Sequence, residues 1–112
     1  MKVGIDILDI ERVKNLKNLE KIFTVDELAY FDRYNNQEEH IAGTFCAKEA
    51  IFKCLNLPIL VHKEIEILHD ENNRPYANFY GKTKEYFEQH FKEIEISISH
   101  TKKIATAIAI AF

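Results

Sequence analysis

A chain of 112 residues, 46% hydrophobic and 29% charged, is long enough to close one hydrophobic core and too rich in isoleucine and aromatics to stay disordered. With 15 Lys and Arg against 18 Asp and Glu, a formal charge of -3 and a pI near 5.9, it has no bulk field drawing it to nucleic acid or anionic lipid, so an anionic ligand must be bound by a local cluster. No apolar run is long enough to span a membrane, and Met1-Lys2-Val3-Gly4-Ile5-Asp6 carries no cleavable apolar leader; a single cytoplasmic domain over residues 1–112 is expected.

Lys2 to Ile10 alternates Val3, Ile5 and Ile7 against Gly4, Asp6 and Leu8, and its β-branched content predicts a strand. Asp6 is out of place there, because a carboxylate within an apolar strand must be paired or bind a metal. The plain alternative is a strand-end Asp hydrogen-bonded to a loop. Gly4 beside it permits another backbone or a ligand to approach closely. Asp9-Ile10-Glu11-Arg12-Val13 leads into a short polar helix ending near Leu19. Thr24-Val25-Asp26-Glu27 has capping-box spacing and starts a helix to about Tyr34. Asn35-Asn36 breaks it, and Asn36 with Glu39 repeats the cap pattern to start a long helix to about Leu55, a region that Pro58 ends.

The stretch Thr44-Phe45-Cys46-Ala47-Lys48-Glu49-Ala50-Ile51-Phe52-Lys53-Cys54-Leu55 places charges inside an apolar helical pattern. Ala47, Ala50, Ile51, Cys54 and Leu55 share one face, and Phe45, Glu49, Phe52 and Lys53 an adjoining one. On an exposed helix Glu49 and Lys53 would be a Glu-to-Lys pair one turn apart, contributing about 0.2–0.5 kcal/mol. Cys46 and Cys54 are about 12 Å apart along the axis, too far for a disulfide, and read as buried free thiols.

Lys63 to Leu68 alternates, Asp70-Glu71-Asn72-Asn73-Arg74 has turn chemistry, and Tyr76 to Tyr80 resumes a strand, which together predict a hairpin. Gly81 allows a break before a helix over about Lys82 to His90. Glu93 to Ser99 alternates again. In the last strand Ile104, Ile108, Ile110 and Phe112 face one side and Ala105, Ala107, Ala109 and Ala111 the other, so the strand is central in its sheet or buried by a partner. The alanine face would let a helix or another subunit approach closely. The pattern predicts an α+β domain, with helices in the first half and a mostly antiparallel sheet afterwards.

Asp6, Glu49, Lys53 and the run Ser97-Ile98-Ser99-His100-Thr101 require a chemistry. A nucleophilic serine would sit on a sharp strained turn, which Ser97-Ile98-Ser99-His100 lacks. Zinc is disfavoured because His40, His62, His69, His90 and His100 lack paired ligand spacing and the cysteines lack a C-x-x-C. Two carboxylates on different elements suit a hard ion such as Mg²⁺, with water and substrate phosphates completing its shell. Such a cation beside a Lys and a His describes a polyphosphate site.

Gly4-Ile5-Asp6 followed by Arg12, then Phe45-x-x-Lys48-Glu49-Ala50-x-x-Lys53, then Ser97-Ile98-Ser99-His100 resemble the signature blocks of holo-acyl-carrier-protein synthase, the short bacterial branch of the 4′-phosphopantetheinyl transferases. Phe23-Thr24-x-x-Glu27 and Arg74-Pro75 before Tyr80-Gly81 agree, so the resemblance covers essentially the whole chain. It implies the 4′-phosphopantetheinyl transferase fold and transfer of phosphopantetheine from coenzyme A to a serine of apo acyl carrier protein, releasing adenosine 3′,5′-bisphosphate, as a step serving fatty acid biosynthesis. It assigns Asp6 and Glu49 to Mg²⁺, Lys53 to the leaving phosphate, and His100 and Ser99 to phosphate contacts. Lys48 is implied as a further nucleotide contact, the turn at Arg74 and Pro75 lies near the adenine, and Arg12 pairs with acidic groups of the carrier protein. A homotrimer with sites between subunits is implied too, and would account for the alanine-faced strand. The family pattern has Arg where this chain has Thr44, and Gly where it has Asn73. The alternative is a non-catalytic module of the same fold that binds coenzyme A or carrier protein.

Overall fold

The structure, a computed structural model, describes residues 1–112. Strand β1 (Lys2–Asp9) runs into 3₁₀ turns at Ile10–Asn15 and Leu19–Lys21, followed by helix α1 (Val25–Phe31) and the long helix α2 (Gln37–Leu55). A 3₁₀ turn at His62–Glu64 precedes the hairpin β2 (Ile65–His69) and β3 (Pro75–Phe79). Helix α3 (Gly81–His90) and strands β4 (Ile94–His100) and β5 (Ile104–Ala111) complete the chain. The class is α+β, as the pattern predicts, but the strands form two antiparallel sheets, the order β1-β5-β4 and the separate pair β2-β3.

Strand β5 is central because both its faces are apolar, and its register decides which face does what. Gly4, Asp6 and Leu8 of β1 pair with Ala109, Ala107 and Ala105, and Ile96 and Ile98 of β4 pair with Ala109 and Ala107. That face lies against α2, and the four alanines of β5 are buried. Small residues on both sides bring the helix close. A Cβ built at Gly4 would collide with the backbone of Ala50 and Cys54, so the close approach expected at Gly4 is that of α2 itself. The Cys54 and Cys46 thiols donate to the carbonyls of Lys2 and Ala105 at 3.4 and 3.6 Å; both are free and buried.

The alanine face therefore receives a helix of its own chain and is not the surface that would meet a second subunit. The opposite face carries the unpartnered apolar side chains: Val3, Ile5 and Ile7 are 54%, 60% and 67% exposed, with Ile104, Ile108 and Phe112 beside them.

Helix boundaries follow backbone chemistry more than side-chain pattern. At Thr24 both halves of the capping box form: the Thr24 hydroxyl accepts from Glu27 N and Glu27 Oε1 accepts from Thr24 N. Asn36 does not cap. Its carboxamide donates to Glu39 Oε2 at 2.9 Å, because at φ -92°, ψ 56° it lacks the extended backbone that Thr24 has at ψ 167°. Helix α1 ends at Phe31, short of Tyr34. Helix α2 is stopped by Asn56 at φ 52°, with Leu57 N bonded back to the Phe52 carbonyl, two residues before the expected Pro58. The core beneath α1 and α2 holds Phe23 and Phe31 edge to face at 5.0 Å with Ile51, Leu55, Ile65 and Ile67, each contributing roughly 1.5–3 kcal/mol by burial.

Candidate active site

Asp6 lies mid-strand in β1 on the side facing α2, paired in register with Ala107. Its Oδ1 accepts from Lys53 Nζ at 3.1 Å, and the same ammonium donates to the Ile5 carbonyl at 3.0 Å. Glu49, one turn before Lys53, forms no ion pair with it; its Oε1 faces His62 Nε2 at 3.6 Å. The Cys46 thiol is pushed up to about 12, first by burial, then by the Asp6 carboxylate and further by Glu49. Side chains of Asp6 and Glu49 are 17% and 25% exposed. These are hard oxygen donors open to solvent, and the donor set fits Mg²⁺, which takes one or two protein carboxylates and fills its shell with water and phosphate oxygens. No group of three or more acidic, His or Cys side chains forms a protein cage.

A second cluster surrounds the first half of α2. His100 Nδ1 lies 3.1 Å from Glu39 Oε2, and a cavity of about 160 Å³ brings His100 together with Thr44, Asn73 and Pro75. The turn holding Arg74 is closed by Asp70, whose Oδ1 accepts from Arg74 N at 2.9 Å and Asn72 N at 2.8 Å, with Asn73 at φ 61°, the left-handed geometry that Asn tolerates. Strand alternation separates Ser99 from His100: His100 pairs with Ala105 on the α2 side and Ser99 with Thr106 on the outer face. Within one chain the side chains of the pair therefore leave opposite faces of β4.

Lys48 is also corrected. It is fully buried, and its ammonium donates to Glu27 Oε1 at 2.7 Å, the His62 carbonyl at 2.8 Å and the Ile22 carbonyl at 2.9 Å. All three N–H donors are taken, so none is left for a nucleotide. Burial drives the pair toward neutrality, Glu27 upward and Lys48 downward. The hydrogen bonds describe the charged pair, since the Glu27 carboxylate also accepts from Thr24 N and Ile67 N at 2.9 and 2.8 Å. A signal was present in the sequence: Lys48 falls in phase with Ile41, Thr44, Ile51 and Leu55, all buried, at the spacing of one helix face.

His62 was not singled out from the sequence. The 3₁₀ turn presents its ring to Glu49 and stacks it on Phe45 at 5.6 Å, while its carbonyl is tied to Lys48. The buried pair thus fixes the loop beside Glu49. Arg12, expected on a helix, is exposed on the 3₁₀ turn Ile10–Asn15 and lines a wide cleft with Lys14, Lys102 and Lys103.

Residues 2–109 match the model of the 4′-phosphopantetheinyl transferase superfamily. The holo-[acyl-carrier-protein] synthase of Thermoanaerobacter sp. (strain X514) is 43% identical, over 97% of this chain and 85% of the relative. That of Alkaliphilus oremlandii (strain OhILAs) is 42% identical, over 97% and 96%. Among solved structures, the Helicobacter pylori holo-[acyl-carrier-protein] synthase in complex with coenzyme A is similar with a TM-score of 0.84 at 28% identity, over 98% of this chain and 99% of that one.

Proposed function

Because the chain belongs to the 4′-phosphopantetheinyl transferase superfamily, we propose that it transfers 4′-phosphopantetheine from coenzyme A to a serine of apo acyl carrier protein, in keeping with the name holo-[acyl-carrier-protein] synthase that its relatives carry. The carrier serine hydroxyl gives up its proton to solvent as its oxygen bonds to the phosphorus nearer the pantetheine; the pyrophosphate P–O bond breaks, and adenosine 3′,5′-bisphosphate leaves. The observation that carries this reading is the meeting of Asp6 from β1 with Lys53 of α2, one turn from Glu49, on a surface open to solvent. Asp6 and Glu49 would hold Mg²⁺, which when bound offsets the charge of the pyrophosphate. Lys53, half exposed and only 3.1 Å from Asp6, can swing its ammonium onto the departing phosphate oxygens, where it stabilises charge that grows as the bond breaks. His100, steered by Glu39, presents its other ring nitrogen to the nucleotide beside the Asn73–Pro75 turn.

The carrier protein docks at the cleft where Arg12, Lys14, Lys102 and Lys103 outnumber Asp9, Glu11 and Glu38; a small local excess of positive charge on an acidic chain suits an acidic partner. The working assembly is a homotrimer in the cytoplasm, with sites between subunits. Two observations support an intersubunit site: the exposed apolar face of Val3, Ile5 and Ile7, and the separation of Ser99 from His100, which leaves Ser99 to serve a neighbour's site.

The test incubates the protein with apo acyl carrier protein, coenzyme A and Mg²⁺ and reads intact mass. The carrier gains one phosphopantetheine with wild type, and Asp6→Asn or Glu49→Gln lowers the rate by about 10²–10³-fold. A wild type that binds coenzyme A yet modifies none of several carriers is a binding module and not a transferase.

A further inference from the structure

The cavity beside Thr44 is lined by three histidines from three different elements: His40 on α2, His69 on β2 and His100 on β4. Tyrosines hold two of the rings in place. His69 stacks on Tyr30 at 3.9 Å with the planes 6° apart, and His40 on Tyr34 at 3.7 Å. The tyrosines are joined by a hydroxyl hydrogen bond of 3.2 Å, and Tyr30 donates to Asn73 Oδ1 at 3.4 Å. His40 and His100 face each other at 5.7 Å. His69 Nδ1 is buried and has no hydrogen-bond partner, an unmet polar atom at the wall of a polar cavity.

The charges around this cluster are unequal. Its acids are Glu39, engaged by His100 and by the Asn36 carboxamide, and Asp70, engaged by two backbone N–H groups. Its cations are the three imidazoles once protonated and Arg33, which lies over the Tyr30 ring at 5.6 Å. Protonated together, the imidazoles repel one another with little to compensate, and an oxyanion in the cavity supplies the missing charge.

In this cavity, which the proposed function already gives to the nucleotide half of coenzyme A, we propose that His40 and His69 take up protons as the phosphate ester binds, so that nucleotide affinity is set by pH. The inference rests on the function proposed above. Burial holds His40 below the ordinary imidazole value, with the charge of His100 adding to it. Burial does the same to His69, with His40 and Arg33 adding. In the free protein both rings are therefore mostly neutral at pH 7. A dianion against them favours the imidazolium forms, so binding absorbs protons and tightens as pH falls. The ligand's own titration has the opposite sign: a phosphate monoester gains a proton near pH 6 and loses charge. Tightening on acidification therefore has to come from the protein.

Calorimetry of the full-length protein with coenzyme A, at pH 6, 7 and 8 and in two buffers of different ionisation enthalpy, measures affinity and protons exchanged together. The expected result is proton uptake and affinity about tenfold higher at pH 6 than at pH 8. Dephospho-coenzyme A, which lacks the 3′-phosphate, should show the same trend only weakly if that phosphate is the occupant; an equal trend identifies the pyrophosphate instead. Uptake should fall sharply in His40→Gln with His69→Gln, to no more than the share of the remaining His100. If coenzyme A binds without proton uptake while the carrier protein is still modified, the histidine subsite is wrong and the transferase reading stands. If the wild type neither binds coenzyme A nor modifies the carrier, both fall. The wild-type measurements decide the matter even if the variants fail to fold.

Discussion

Lys48 and Lys53 lie on the same helix and carry the same charge, yet their environments give them opposite tasks. Lys48 is sealed among Glu27 and two carbonyls; Lys53 is 53% exposed. Replacing Lys48 by Met leaves the Glu27 carboxylate buried without its partner and should cost about 3–5 kcal/mol, read as a lower urea midpoint, while coenzyme A affinity of the fraction still folded stays unchanged. Lys53→Met should alter stability by no more than about 1 kcal/mol, since a half-exposed pair contributes little, but should lower kcat. A Lys48→Met protein of normal stability with weakened coenzyme A binding would restore the nucleotide role that its burial argues against. The histidines give a pH prediction with a definite sign. His40 and His69 have folded-state values below the ordinary 6.5, so the unfolded chain takes up protons first and stability is lost as pH falls below about 6.5. Urea midpoints should fall from pH 6.5 to pH 5 in wild type, and fall less when both residues are Gln.

At the scale of elements, the fit of α2 against β1 and β5 organises the molecule, and Gly4 is its tightest point. A methyl group there meets backbone of Ala50 and Cys54, which cannot rotate away as a side chain would. Gly4→Ala should therefore cost at least the 1–3 kcal/mol typical of overpacking, and by tilting β1 should also separate Asp6 from Lys53 and reduce turnover. A stable, fully active Gly4→Ala would mean that the helix is not held this closely. Much at this scale was legible in the residues: the order of elements, the Thr24–Glu27 cap, the long helix and the two-faced last strand. What was not legible depended on backbone angles and on pairing. The Asn36–Glu39 spacing is identical to that of a working cap, but its dihedrals turn the carboxamide toward the Glu39 side chain. The alanine stripe needed a small-residue partner, and only the fold identifies that partner as α2.

At the scale of the whole molecule, the outer sheet face is the feature that a single chain leaves unresolved. Val3, Ile5 and Ile7 stand in solvent on the same strand that carries Asp6, so assembly and activity should fail together. On the proposed homotrimer, Ile5→Asp should leave a monomer in sedimentation and remove activity while leaving each chain's fold intact; a fully active monomer would contradict a site between subunits. The candidate site was legible in part for a related reason. Asp6 and Glu49 stood out as carboxylates in apolar patterns, and the fold brings Lys53 to Asp6. His40 and His69, which reach His100 from separate elements, and His62, which reaches Glu49 from a turn, carry no spacing signal, and Lys48 misleads because a motif position next to Glu49 points inward.

On the proposed function, Asp6, Glu49 and Lys53 serve group transfer from coenzyme A to a carrier serine. Its most direct measurement follows, in one reaction, the intact mass of apo acyl carrier protein and the release of adenosine 3′,5′-bisphosphate. Equal, Mg²⁺-dependent yields of both are expected, lost together in Glu49→Gln. Nucleotide release without a mass gain on the carrier, or a mass gain that survives Glu49→Gln and chelation of the metal, would contradict that function.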